Sequence, residues 1–377
     1  MSAIRLTQSF LCCVLVFQII HVSPDVFFPD YSWGEGTRHT STAVTRNPSV
    51  SPQSVTYIAK EQSFDSLILV GDVLLARNIE FLMNQKGASY PYKGLSFGTV
   101  ARRPAVVGNF ESSIPLLHVP TPMKQIRFSV SKSYIPDLAL SGFTHLSLAN
   151  NHSYDFTETG YNNTQDVLEK NQLLPIGHPN QLTVDAVEFI EVDDNVLAVI
   201  AANTLQQLPA YSELKTVLNY ASARSDFQLV YVHWGSEYVP LHNSRQREAA
   251  ERFVDAGADV VVGHHPHVVQ DVELIDGVPV FYSLGNYVFD QYDSLDTQEG
   301  LMLHLELTGS QPKISLLPVT SVGTLSQPRF MTPENHAVFL EKLADRSDSE
   351  LRKYITSGQI LLDVQVASSS KVAMISQ

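Results

Sequence analysis

From Ser66 onward the chain alternates short runs rich in β-branched residues with amphipathic stretches, and this alternation constrains the fold more than any other feature. The runs are SLILVG, PAVVGNF, FTHLSLA, NVLAVIAAN, FQLVYVHW, ADVVVG and VPVFYSLGNYVF. Strand-sized apolar runs separated by helix-sized amphipathic ones predict an α/β protein. The clearest helix spans Ser244 to Ala256, with Ser244 as N-cap, apolar Ala249, Ala250, Phe253 and Val254, and Gly257 as terminator. LHLELTG and KISLLPV, between residues 303 and 319, predict a closing antiparallel pair. Beyond Gln327 the pattern is helical and polar and carries no motif.

The polar residues fall at the ends of the strand-like runs. In six places an apolar run stops and a carboxylate, asparagine or histidine follows: VGDVLLAR, GNFES, LANNHSYDF, VHWGSEY, GHHPH and SLGNYVFDQ. Taken singly each has an ordinary reading. Asp72 is a helix cap, Asn150 and Asn151 are turn residues, His233 is a core histidine, Glu237 is a solvated carboxylate and Arg77 is an exposed charge on a helix. Carboxyl ends of strands gather along one edge of an open α/β sheet, so six such coincidences favour a single site. Imidazole, carboxylate and amide oxygen without thiolate suit one or two divalent ions such as Mn, Zn or Fe. His265 and His267 are two residues apart, and on an extended strand both side chains leave one face, as chelation requires.

Composition narrows the chemistry further. The formal net charge of -14 excludes the basic footprint of a nucleic-acid binder and repels bulk polyanions. An anionic substrate must therefore be drawn in locally, by a metal or an arginine. Both cysteines, Cys12 and Cys13, lie in the apolar stretch from Phe10 to Val22, leaving the rest of the chain without disulfides, thiolate ligands or a cysteine nucleophile. Arg5 precedes that stretch, which is the layout of an export signal. Its shortness favours a cleaved signal peptide, whereas Pro24 and the lack of a small-residue cleavage site favour an uncleaved anchor. The chain is therefore expected to be exported, either anchored at the cell surface or secreted. Residues 25–62 are rich in Ser, Thr, Pro and Asn and read as a tether.

In order, GDVLLAR, GNFES, GFTHLSLANNHSYDFTETG, HWGSEY, GADVVVGHHPHVVQ and YSLGNYVFDQ resemble the CapA family of capsule or poly-γ-glutamate synthesis proteins, from about Ser66 to Pro318. The resemblance implies a calcineurin-like metallophosphatase-type sandwich of mixed β-sheets flanked by helices. It divides the chain into a signal peptide or anchor (1–24), a linker (25–62), the metallophosphatase-like domain (63–318) and a helical extension (319–377). It also implies metal ligation by Asp72, Glu111, Asn151, His233, His265 and His267, with His264 as a neighbour of the site. His152, oriented by Asp155, becomes the general acid, and Arg77, Glu237 and Asn286 become substrate contacts. Two departures from active phosphoesterases, both shared by the family, stand out. Leu74 replaces the histidine of an Asp-x-His motif, and Gly108-Asn109-Phe110-Glu111 replaces Gly-Asp-x-x-Asp, which weakens the case for a full two-metal centre. Expected partners are an anionic polymer or phosphoester and a membrane-bound polymer synthase or export complex. The functional alternatives are a metal-dependent hydrolase and an envelope component that grips polyglutamate without cleaving it.

Overall fold

The computed structural model describes residues 63–95, 97, 103–307 and 312–362. The expected signal or anchor and the tether lie outside these residues, apart from the boundary at 62–63. In chain order the strands are β1 (Leu67–Val73), β2 (Ala105–Phe110), β3 (His145–Ser147), β4 (Leu174–Ile176), β5 (Val187–Val192), β6 (Asn195–Asn203), β7 (Phe227–His233), β8 (Val260–His264), β9 (Val272–Ile275), β10 (Val278–Phe281), β11 (Asn286–Val288), β12 (Glu299–Glu306), β13 (Lys313–Thr320), β14 (Arg329–Phe330) and β15 (Gln359–Leu361). The helices are α1 (Asn78–Lys86), α2 (Ile135–Leu140), α3 (Thr157–Lys170), α4 (Tyr211–Ser222), α5 (Ser244–Ala256), α6 (Pro333–Arg346) and α7 (Arg352–Thr356).

Two mixed sheets result. The first runs β14-β13-β12-β1-β2-β3-β4, with β11 added beside β1 and β15 beside β13; the second runs β5-β6-β7-β8-β10-β9. Strands β1 to β4 and β6 to β8 pair in parallel, while β12 and β13 form the expected antiparallel pair. Alternation along each strand sends one set of side chains to each face. Leu67, Leu69 and Leu303 of the first sheet therefore meet Val199, Leu229 and Val262 of the second in one buried layer. The opposite face of the first sheet packs Val70, Leu146 and Phe110 against Ile79, Leu138 and Leu168 of α1, α2 and α3. On the outer face of the second sheet, Val230 and Val261 pack against Leu214 and Phe253 of α4 and α5. Tyr231 spans the central layer, and its hydroxyl donates to the carbonyl of Val70.

Some local details differ from the sequence reading. VPVFYSLGNYVF is not one strand: Gly285 turns at φ 67°, so β10 joins the second sheet and β11 the first. Helix α5 is capped by Asn243, not Ser244; the Asn243 side chain accepts from the amides of Arg245 and Gln246, and Gly257 closes the helix at φ 113°. Past residue 319 the chain is not only helical: β14 precedes α6, and β15 follows α7 and pairs with β13. Phe339, Leu340 and Leu343 of α6 enter the central core, so this segment is less polar in effect than its composition suggests.

Candidate metal centre

The carboxyl ends of both sheets open onto one buried cluster. Register brings the residues there: Asp72 is paired with Asn109 of β2 and with Asn286 of β11, and His233 is paired with His264. Two triads have ligand atoms mutually within 4.8 Å, namely Asp72 with His233 and His264, and Glu111 with His265 and His267. Asp72 touches both groups. Its Oδ1 lies 3.7 Å from His264 Nδ1, and its Oδ2 lies 3.2 Å from His267 Nδ1 and accepts from the His265 amide at 3.3 Å. Asn151 Oδ1 is 2.8 Å from His233 Nε2, so every expected ligand reaches the cluster.

Two of these residues arrive differently from the sequence reading. His265 and His267 do not sit on an extended strand, because β8 ends at His264 and they follow at φ 101° and 59°. Such left-handed backbone is costly for a residue with a Cβ, and it swings both rings toward Glu111. His264, expected to be only a neighbour, is a full member of the Asp72 triad. Leu74 lies in the outer core, fully buried, so the imidazole beside Asp72 comes from His264. The cue in the sequence was its position one residue past Gly263 at the end of a strand.

The buried atoms fit a cation. Glu111 Oε1, His264 Nε2 and His265 Nδ1 are buried without a hydrogen-bond partner, an arrangement that is costly unless something satisfies the lone pairs. Burial holds His264 down at about 4 and, with the charge of His267, His265 at about 3. Burial and the surrounding histidines push His233 down too, so all three imidazoles are neutral, as ligation requires. Burial alone raises the Asp72 carboxyl, but His267, His264 and Asn109 outweigh it and hold Asp72 below the usual carboxylate range. Burial and the charge of Asp72 push Glu111 well up. Burial disfavours the charged His267 ring, yet Glu111 and Asp72 prevail and raise it to about 9. Glu111 Oε1 and His267 Nε2 lie 3.9 Å apart, close enough for both to reach one divalent ion.

Around the cluster the side chains are held firmly. Asn109 donates from Nδ2 to Asp72 Oδ1 at 2.8 Å and accepts from Asn150 Nδ2 at 2.9 Å; Asn150 also accepts the His152 amide at 3.0 Å. His152 Nδ1 lies 2.9 Å from Asp155 Oδ2, its ring stacks on Phe128 at 4.0 Å, and its Nε2 faces Glu111 Oε1 at 3.7 Å. Phe128 was absent from the sequence reading, since nothing in FSV marks it.

The three expected substrate contacts fare unevenly. Asn286 is 6% exposed and fully engaged: Oδ1 lies 2.9 Å from His267 Nδ1, and Nδ2 donates to Gln291 and Thr297. It orients His267 and leaves Nε2 as that ring's inward atom. Arg77 stands at the N-terminus of α1, not within it. Its charge is already matched by Asp290, and it lies over the Phe128 ring at 4.7 Å. Glu237 is exposed on the loop after β7, and its charge helps to raise Glu111. A carboxylate there repels an anion, so it does not suit the contact expected of it.

The chain matches the family model described as bacterial capsule synthesis protein PGA_cap over residues 66–291, which covers every residue of the cluster. It is 33% identical over 243 residues to the PGA biosynthesis protein CapA of Bacillus subtilis (strain 168), covering 60% of this chain and 63% of that protein. It is 30% identical over 272 residues to the capsule biosynthesis protein CapA of Bacillus anthracis, covering 67% of this chain and 65% of that one. The matches thus span just under two thirds of the length of these relatives. With the family model covering more than half of its length, the chain belongs to the PGA_cap family of bacterial capsule synthesis proteins.

Proposed function

We propose that the domain holds one or two divalent ions, of the Mn, Zn or Fe kind, between the two triads and uses them as a hydrolase-like site in capsule or poly-γ-glutamate synthesis. The observation that carries this reading is the pair of buried triads, each with ligand atoms mutually within 4.8 Å, together with buried atoms of Glu111, His264 and His265 that lack a hydrogen-bond partner. When present, such an ion supplies Lewis acidity that makes water a nucleophile near neutral pH. The chain's own groups do the rest. Asp72, His233 and His264 would hold one ion and Glu111, His265 and His267 a second, with Asn151 beside His233. Asp155 fixes the His152 ring so that Nε2 presents a proton toward the centre as general acid. Arg77 and Asp290 form a neutral pair on the wall, so charge on a phosphoester or polyglutamate would be offset chiefly by the ions.

One observation favours the alternative, an envelope component that binds polyglutamate without turnover. Leu74 stands buried where related phosphoesterases place an imidazole. The reading extends to location and partners: an exported chain, anchored or secreted, working beside a membrane-bound polymer synthase or export complex. The test is elemental analysis of the purified full chain, followed by a screen of phosphoesters and γ-glutamyl peptides with and without Mn or Zn. His233→Ala and His265→Ala are each expected to abolish both metal content and turnover. Turnover retained after metal is lost would refute the hydrolytic reading, and binding without turnover would select the alternative.

A further inference from the structure

Between Phe110 and Phe128 the chain forms a loop whose polarity is inverted. Two of its polar side chains, His118 and Thr121, are held inward: His118 Nε2 lies 2.6 Å from buried Glu80 and its Nδ1 lies 2.7 Å from buried Ser129. Thr121 Oγ1 donates to the Arg127 carbonyl and accepts the Ser129 amide, both at 2.9 Å. Its aliphatic side chains point outward, with Leu116 74%, Leu117 82%, Val119 66%, Met123 55% and Ile126 74% exposed. A loop held from within by hydrogen bonds, with five aliphatic side chains turned outward, is built to leave water for something. Scattered exposed leucines are ordinary; five in eleven residues of one braced loop are not.

Charge identifies the occupant. The chain carries -14 overall, yet from Ser112 to Pro136 it has Lys124, Arg127 and Lys132 and no acidic residue. All three basic residues are exposed. Protruding aliphatic side chains ringed by cations, in an otherwise acidic molecule, match an anionic bilayer surface, where alkyl groups enter the acyl boundary and cations meet headgroups. Chain length permits it, since 62 residues, among them the apolar stretch from Phe10 to Val22, precede the described ones. We propose that this loop inserts into an anionic membrane surface. The inference does not depend on metal or on turnover.

The test uses the full chain with Cys12→Ser and Cys13→Ser, carrying an environment-sensitive fluorophore at Leu117→Cys or, as control, at Glu248→Cys in the α4/α5 layer. Vesicles of phosphatidylcholine alone, or of equal parts phosphatidylcholine and phosphatidylglycerol, carry a lipid-borne quencher. On anionic vesicles the label at 117 is expected to be blue-shifted and quenched while the label at 248 stays in water. Lys124→Gln and Lys132→Gln, both on the exposed side, should each raise the lipid concentration needed by about fivefold. A label at 117 that remains in water while the chain pellets with anionic vesicles overturns the proposal and leaves a protein surface as the occupant. Equal quenching on phosphatidylcholine alone overturns the electrostatic part of it.

Discussion

Gly71→Ala tests how the backbone spaces the cluster. A Cβ at residue 71 would lie 1.8 Å from the carbonyl oxygen of Gly285, and contacts under 3.0 Å are essentially never found. Both sides of this contact are backbone, so no side chain can swing aside. Strand β1 and the turn at Gly285 must separate by more than an ångström. That separation breaks the hydrogen bond from the Asp72 amide to the Gly285 carbonyl, now 3.1 Å, and carries Asn286 away from Asp72. His267 Nδ1 lies 3.2 Å from Asp72 and 2.9 Å from Asn286, so its ring cannot keep both partners. Overpacking costs about 1–3 kcal/mol and the lost hydrogen bond about 1, so urea unfolding should show a loss of about 2–4 kcal/mol. Most domains survive that, since net stability is about 5–15 kcal/mol. Metal affinity should fall more steeply, about 10–100-fold, because the group orienting a ligand has moved. Competitive titration with Mn or Zn, alongside urea unfolding followed through Trp234, reads both quantities. A variant that loses stability but binds metal as the parent does would refute the claim that this approach sets the Asp72–Asn286 spacing.

Four further outcomes are expected. A cation supplied at about a hundred times its dissociation constant should add about 2.7 kcal/mol of stability, which a chelator removes; an unchanged urea midpoint would argue against the centre. Asp155→Asn should keep metal content while lowering hydrolytic turnover at least about tenfold, read by steady-state kinetics beside elemental analysis. Burial holds His145, in β3, down at about 4, well below its value in the unfolded chain. Its stabilising contribution is therefore complete above about pH 6.5 and is lost as pH falls toward 4, up to about 3 kcal/mol, and His145→Leu should flatten that acid limb in pH-dependent urea unfolding. Trp234→Phe strands the Tyr282 carbonyl, which now accepts from the indole at 2.7 Å, and should cost about 1–3 kcal/mol in urea unfolding followed by far-UV circular dichroism.

The strand ends were legible because burial periodicity is local: each apolar run must stop somewhere, and Asp72, Asn109, His233 and His264 mark where. That the ends converge follows from parallel pairing, which the strand and helix alternation implies. The backbone at His265 and His267 was not legible. Histidine carries no strong preference for left-handed φ, so nothing in the local sequence announces the turn. Nor could sequence reveal that Asp290 neutralises Arg77, since 213 residues separate them and neither lies in a periodic pattern. Asn286 shows the same limit: an amide at a strand end can face a substrate or a ligand, and only its full set of three partners decides. The split of VPVFYSLGNYVF turned on one glycine between two apolar runs that sequence alone joins.

One oxygen of Asp155 both holds His152 and accepts the Phe128 amide, at 2.9 and 2.6 Å, and the Arg127 guanidinium grips the same residue's carbonyl. The inverted loop therefore ends in a mechanical linkage to the imidazole, and a pull on the one is felt as a tilt of the other. Whatever loads this strap is therefore transmitted to the His152 ring through a single carboxylate oxygen.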